Sequence, residues 1–417
     1  MNNPNKSFTI ILILFLLSGN FLLAQNNTSS PYSKFGTGDL NNVAFGRNLA
    51  IGGTGFGIRD NHFLNIKNPA SITSIDSLNF LFETGVFYQY TNTQTSDFER
   101  DYNDGNLSHL VFGHRYTNWL MGAYGLMPYS NIGYNFRTEE SLESEDSKVY
   151  TDWIGTGGIN KLFYNLGYKM TKNFSLGAEA AFFYGPFNES KKTWALVQPN
   201  NSTYYYTDTY YYGFIFKGAF QYSLNLGDKG TNLTIGGTIS PQQKLRGKTN
   251  IRIDQYYGEV YLDSMYYDDL RTYPIILPLT YGAGIGFTWK GKYLFAADYE
   301  RAGWSVNSDR AYIDQTIYSF GIERLPRNSL NYFDRCSYRL GFRYDSGYIM
   351  YRKNNISDMR FTAGIGFPIQ KSASMINLSV EAGRKGTTRM GLIMEDYVKF
   401  TVAFSFQDLW FVERKVN

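Results

Sequence analysis

Tyr397-Val398-Lys399-Phe400-Thr401-Val402-Ala403-Phe404-Ser405-Phe406 alternates without a break. Val398, Phe400, Val402, Phe404 and Phe406 take one face; Tyr397, Lys399, Thr401, Ala403 and Ser405 take the other. A period of two belongs to a β-strand, whose successive side chains point to opposite faces. A wholly apolar face backed by a mixed polar one suits a strand with lipid on one side and a lumen on the other. About 9–11 such residues, tilted, cross a bilayer.

Segments of the same period recur towards the start of the chain. They begin near Leu78, Leu107, Trp119, Ile159, Phe174, Tyr210, Asn232, Ile275, Tyr293, Tyr312, Ser337, Met359, Met375 and Tyr397. Fourteen is an even number, as a bacterial single-chain barrel requires. The roughly 340 residues after position 77 agree with about 14 strands at a little over 20 residues per strand and connection. The predicted fold class is therefore all-β, a transmembrane antiparallel up-and-down barrel.

Composition is compatible with this. The mean hydropathy of −0.34 would suit a soluble chain, but barrel strands are polar at every second position and their average conceals them. An aromatic content of 18% exceeds what a soluble core needs and fits interfacial girdles. The single cysteine, Cys336, excludes an internal disulfide, and a net charge of +4 gives no sign of nucleic acid.

Connections sort by parity. Thr117-Asn118, Thr171–Asn173, Gly227–Gly230 and Lys290–Lys292 read as tight periplasmic turns. Asp97–Asn106, Arg137–Lys148, Pro186–Thr203 and Gly247–Thr272 read as long polar outer loops. Glu323–Arg335 is long on the short side, either an elaborated connection or a miscounted strand. Trp119, Trp289 and Trp410 fall at the inner interface and Trp153 and Trp304 at the outer one, as indole belts require. Trp194 falls in a long loop without a role.

The chain opens with Lys6, an apolar run from Phe8 to Leu23, and Ala24. A charged start, a short apolar stretch and a small residue make a secretory signal peptide over 1–24, too short for a spanning helix. Residues 25–77 then precede the barrel at 78–406, and 407–417 form a periplasmic tail. Within 25–77, Gly52, Gly53 and neighbouring glycines suggest compact turns and close packing. A phosphate-cradling loop is excluded there, since no Lys-Ser/Thr follows.

Several pieces in this order carry a resemblance: Ser30-Pro31-Tyr32-Ser33 with Gly36-Thr37-Gly38-Asp39, then Gly52-Gly53 with Asn68-Pro69-Ala70, then Gly125 to Tyr134. Gly157–Lys161, Glu381–Thr387 and Asp408–Phe411 follow. The chain resembles the FadL/TodX family of outer-membrane channels for hydrophobic compounds, in the form typical of the Bacteroidota. The resemblance implies a fourteen-stranded barrel with the N-terminal residues as a hatch in the lumen, marked here by Gly52, Gly53, Asn68, Pro69 and Ala70. It also implies a kinked third strand that opens the wall laterally.

Two sets of residues are candidates for function. Glu83, Glu179, Lys217, Asp298, Arg339, Arg343, Asp345, Arg360, Glu381 and Lys399 fall on lumen faces by phase. They either compensate one another and hatch residues such as Arg47, Arg59 and Asp60, as buried charge must, or line a passage. Pro128, flanked by Gly125 and Gly133, sits inside the third strand. Proline interrupts a ladder, so either the strand ends at Met127, or Leu126, Met127, Pro128, Tyr129 and Gly133 frame a side opening.

Catalysis is not expected. His109 and His114 are an odd number apart and face opposite ways on one strand, and no His-Glu-x-x-His or Gly-x-Ser-x-Gly is present. Glu139-Glu140 and Asp268-Asp269 read as solvated loop carboxylates. The expected function is passive uptake of a hydrophobic, fatty-acid-like small molecule, with no cofactor, in the outer membrane of a Gram-negative bacterium of the Bacteroidota. A non-transporting barrel serving as an accessory subunit of an assembly or secretion complex is the alternative. Expected partners are outer-membrane lipid and lipopolysaccharide, the ligand and other outer-membrane proteins, with no nucleic acid.

Overall fold

The computed structural model describes residues 28–409, except 78, 97, 142–147, 196–197, 228–229, 272–273, 308–311, 352 and 370–373. The expected signal peptide, Trp410 and the basic end of the tail lie outside the described residues.

Fourteen antiparallel strands close into a barrel. They are β1 (Asn79–Gln94), β2 (Glu99–Arg115), β3 (Leu120–Ser141), β4 (Lys148–Lys169), β5 (Phe174–Ala195) and β6 (Gln198–Asn225). β7 runs in two ladders (Asn232–Ser240, Gln243–Tyr257) and β8 in three (Val260–Arg271, Ile275–Leu277, Thr280–Trp289). β9 (Tyr293–Ala302), β10 (Gln315–Arg324), β11 (Ser337–Asp345), β12 (Asp358–Pro368), β13 (Met375–Gly386) and β14 (Met394–Leu409) complete the ring. β14 closes it against β1 from Asn79↔Leu409 to Gln94↔Met394. The last ladder thus continues past Phe406 to Leu409. No described helix is long and apolar enough to cross a membrane.

The alternation in the last strand is the alternation of the structure. Tyr397, Thr401, Ala403 and Ser405 are buried in the lumen, while Phe400 and Val402 stay exposed on the outside. Leu162, Phe214, Phe320 and Phe361 are exposed around the same outer surface. An outward apolar band with a polar interior is the arrangement of an outer-membrane barrel in a Gram-negative cell.

Every expected segment falls on one of the fourteen strands except Tyr312, which makes an isolated bridge with Ile349 just before β10. The expected outer loops are corrected. Most of Asp97–Asn106, Arg137–Lys148, Pro186–Thr203 and Gly247–Thr272 continues the strands as paired ladders, for instance Tyr204↔Asp254 and Trp153↔Lys191. β6 has 28 residues, roughly 90 Å at about 3.3 Å per residue, far beyond a hydrocarbon core of about 30 Å. Tyrosine and threonine favour a pleated surface even where it is solvated, which is why polarity alone misread these stretches as loops. β3 to β8 therefore rise above the membrane as a tall sheet. The outer connections lie opposite, with described parts at 303–307, 312–314, 346–351, 353–357 and 387–393.

The short side holds its turns as expected, with Thr117-Asn118, Thr171–Asn173 and Lys290–Lys292 outside the ladders. The connection 325–336 is an elaborated one and not a lost strand. Its turn Tyr332–Arg335 is tied to the end of β10 by Arg324 and Asp334 at 2.6 Å. Trp119 and Trp289 are exposed at the inner rim, whereas the outer belt is corrected. Trp304 is buried against Tyr312 and Tyr348, and the Trp153 ring takes the Lys34 ammonium. Trp194 lies on β5 beside Tyr150 and Arg137.

Candidate functional site: the filled lumen and the parted strands

The segment 28–77 lies inside the barrel. It starts high in the lumen, where Ser29 donates to Asp104 of β2 and Ser30 to Glu395 of β14, and descends to β1 at the opposite rim. Glycines let its backbone rest directly on the wall. Gly52 faces the carbonyls of Phe320 and Phe342, and Gly57 faces the backbone of Ile285 and Gly286; a Cβ at either would collide with the wall. Gly52 and Gly53 also adopt positive φ, closing the short turn after Gly46–Ile51. Asn68 caps the next turn, Pro69–Ser74, through the Ala70 amide at 3.0 Å, and its side-chain amide donates to the carbonyls of Phe56 and Phe220.

Charge binds segment to wall. Arg47 reaches Glu323 of β10 at 2.6 Å and Asp60 at 2.6 Å, and Arg339 holds the other oxygen of Glu323 at 2.8 Å. Lys67 sits 3.0 Å from Asp298 of β9, which also accepts the amides of Gly55 and Phe56. Lys385 pairs with Asp39. Low in the segment, Arg59 donates to Ser175. Arg47, Lys67, Glu323, Asp298 and Arg339 thus compensate one another across the lumen, as low-dielectric surroundings demand.

β2 and β3 part company halfway up. Their ladder spans Arg115↔Met121 to Leu110↔Leu126 and stops. Continuing the register would set Pro128 opposite Ser108, and proline has no N–H for a ladder. Both strands bulge here: Ser108 is skipped in the β1–β2 register and Tyr129 in the β3–β4 register. β3 continues to Ser141, paired only with β4 on that side of the break. Its other edge is met by the internal segment, with Asp39↔Asn131 and Leu40↔Ser130 in register and the Asn41 amide bonded to the Tyr129 carbonyl at 2.9 Å.

The break extends round the wall. Gly157 and Gly158 of β4 have φ of +126° and +141°, a region that side chains disfavour, and their β5 partners resume only after Gly185-Pro186. Pro241 divides β7, and Pro278 lies in the last gap of β8. One line of proline and glycine therefore bends the wall where the tall sheet leaves the barrel.

Two cavities adjoin this level. The outer one, about 150 Å³, is polar, with Asp39, Asp104, Arg360, Glu381, Lys385 and Lys399 on its walls. The inner one, about 170 Å³, has Leu40, Val43, Tyr129, Phe183, Ile215 and Trp304 on one side. Its other side carries Lys161, Glu179 and Lys217, joined at 2.7 and 3.5 Å. Leu40, Asn41 and Asn42 border both cavities and so form the partition between them.

Glu83, Glu179, Lys217, Asp298, Arg339, Arg343, Arg360 and Glu381 all point into the lumen. Glu83 accepts the Leu64 amide, Arg343 lies 3.9 Å from Asp345, and Arg360 bridges Asp358 and Glu381. Leu126 marks the end of the β2–β3 ladder; Met127 is buried, Tyr129 packs at a tilt against Phe183, and Gly133 exchanges hydrogen bonds with Ser33. Sequence reasoning missed Lys67, Lys161, Glu323, Lys385 and Glu395. Counting β10 in steps of two from Ile317 reaches Glu323, but Lys67 has no period to reveal it. His109 stacks on Phe45 in the lumen and His114 lies against Tyr116 and Tyr124 on the opposite face.

A model of the BamG family matches residues 6–417. The chain belongs to the BamG family. A search of curated proteins finds no match. Among solved structures, this BamG-family chain is similar to the toluene transporter TodX of Pseudomonas putida, with a TM-score of 0.61 at 16% identity over 90% of this chain and 100% of that one. The toluene transporter TbuX of Ralstonia pickettii gives 0.57 at 15% identity over 88% and 99%. A FadL homologue of Pseudomonas aeruginosa gives 0.57 at 12% identity over 90% and 99%. The resemblance to FadL/TodX-type channels thus holds at the level of the fold.

Proposed function

We propose that the protein passes small apolar molecules from the outer cavity into the membrane, with segment 28–77 as the hatch and the parting of β2 and β3 as the exit. The observation that carries this is the placement of Asp39–Asn42. Leu40 and Asn41 both wall off the inner cavity and fill the free edge of β3, so one displacement would join cavity and gap. Two register pairs, the Asn41 amide, the Asn131–Asn41 side-chain bond and the Ser33–Gly133 exchange hold that edge, fewer contacts than a full strand ladder, which marks it as a less stable element of the interior. The inner cavity of about 170 Å³ compares with the roughly 150 Å³ apolar cavity known to take benzene, so a single aromatic ring fits without rearrangement and an extended acyl chain does not. Two of the proteins of like fold are described as toluene transporters.

The test is a disulfide between Leu40→Cys and Ser130→Cys, which are register partners, in a Cys336→Ser background. Uptake of labelled toluene and of labelled palmitate into proteoliposomes is measured in both redox states. Toluene uptake should fall at least tenfold on oxidation and return on reduction. Equal uptake in the two states would overturn the reading.

A further inference from the structure

Three stretches of strand in the upper wall have an unpaired edge among the described residues. On β2 it is the part above the break, on β3 the part beyond the internal segment, and on β8 the outer ladder Val260–Arg271, whose register partners all lie on β7. An open edge presents a row of unsatisfied backbone groups, which proteins ordinarily blunt with charge. β2 carries Glu99, Arg100, Asp101 and Asp104 there, and β3 carries Arg137, Glu139 and Glu140: both signs, close together. Such an edge repels a partner strand of either charge.

The β8 edge differs in two respects. Val260, Tyr261, Leu262, Met265, Tyr266 and Leu270 are exposed, Val260 and Tyr266 by more than 60%, in a place far above the lipid. Its charges are also nearly of one sign, Asp263, Asp268 and Asp269 along the strand and Glu259 in the turn before it, against Arg271. Glu259, Asp263 and Asp268 make no ion pair among the described residues. Register shifts after Tyr261 and after Tyr267 bracket a regular run, Asp263–Tyr267, paired with Ile251–Gln255.

We propose that Asp263–Tyr267 is a docking edge for an extended segment of another protein outside the cell, one that alternates apolar with basic residues. Strand addition would satisfy the open backbone groups, and Tyr266 and Met265, on opposite faces, would cover the partner's side chains. The carboxylates at both ends select positive charge. The same charges disfavour a second copy of this chain, since antiparallel self-pairing would bring Asp263 and Asp268 of the two strands together.

The experiment uses the full chain in lipid nanodiscs with two synthetic ten-residue probes, one alternating valine and lysine, the other valine and glutamate. Hydrogen exchange of Val260–Arg271 is the readout. The lysine probe should slow exchange within Asp263–Tyr267 and the glutamate probe should not. Asp263→Lys with Asp268→Lys should invert the preference, weakening the lysine probe by ~10-fold or more. Equal protection by both probes, or none by either, would overturn the proposal. So would protection that grows with protein concentration in the absence of a probe, because the occupant would then be a second copy.

Discussion

Lys34 shows what the lumen does to a single side chain. Its ammonium enters a box made by Tyr134, Phe136 and Trp153, with Glu189 at 3.7 Å. Burial pulls its pKa down to about 8, against a smaller upward pull from Glu189. The folded protein thus holds fewer protons at this site than the unfolded chain between about pH 8 and 10.5. Stability from this group therefore rises with pH through that window, and below it the buried charge is a standing cost. We expect the urea midpoint of Lys34→Met, measured from pH 7 to 10.5, to lack the rise the parent shows. A parallel pH profile in the two proteins would refute the assignment. The same box was only partly legible beforehand. Tyr134 and Trp153 were visible as aromatic residues, but their lumen-side placement depends on the bend below them, and Trp153 was expected to face the membrane interface.

At the scale of elements, the wall is governed by where proline and glycine interrupt pairing. Pro128 was conspicuous in the sequence because it stands alone within a regular alternation. Gly157-Gly158, Gly185-Pro186 and Pro241 were not legible as interruptions, since their alignment across neighbouring strands exists only once the register is set. Gly158→Val should be costly for two reasons: its φ is unfavourable for a side chain, and the new Cβ would meet the Ser130 carbonyl across the bulge. We expect a loss of about 2 kcal/mol or more from backbone strain alone, read as a lower midpoint for heat-induced loss of the compact band on a gel. Gly218→Val, whose nearest neighbours are in ordinary contact with a Cβ and whose φ is negative, is the control and should change little. The four expected outer loops failed at this same scale. Their tyrosine, threonine and charge read as solvated loop, yet pairing among β3 to β8 keeps three of them in one sheet and pairing of β2 with β1 holds Asp97–Asn106 as strand.

For the molecule as a whole, the barrel and its contents are one structure. The lumen charges on the wall are satisfied by residues more than two hundred positions away, as with Asp298 and Lys67, or Glu323 and Arg47. Lys67→Met removes a cation that is itself buried and leaves Asp298 with amide donors alone. Breaking a buried pair on one side costs about 3–5 kcal/mol, whereas replacing both partners by apolar groups is often close to neutral. We therefore expect Lys67→Met to lower the unfolding midpoint sharply and the double variant with Asp298→Leu to recover most of the loss. A double variant as unstable as the single one would show that the pair, rather than the stranded charge, carries the stability.

The sequence by itself determined the strand count, the inward and outward faces and the lumen phase of most wall charges. These follow from a period of two and from composition, both of which are local properties of the chain. It also located one interruption, Pro128, because a missing N–H is a property of the residue and not of its surroundings. The tertiary structure alone decided how high the wall rises, which edges stay open, and which internal residue meets which wall charge. Those depend on register between strands and on the path of a segment with no period of its own, and neither is written in any single stretch of the chain.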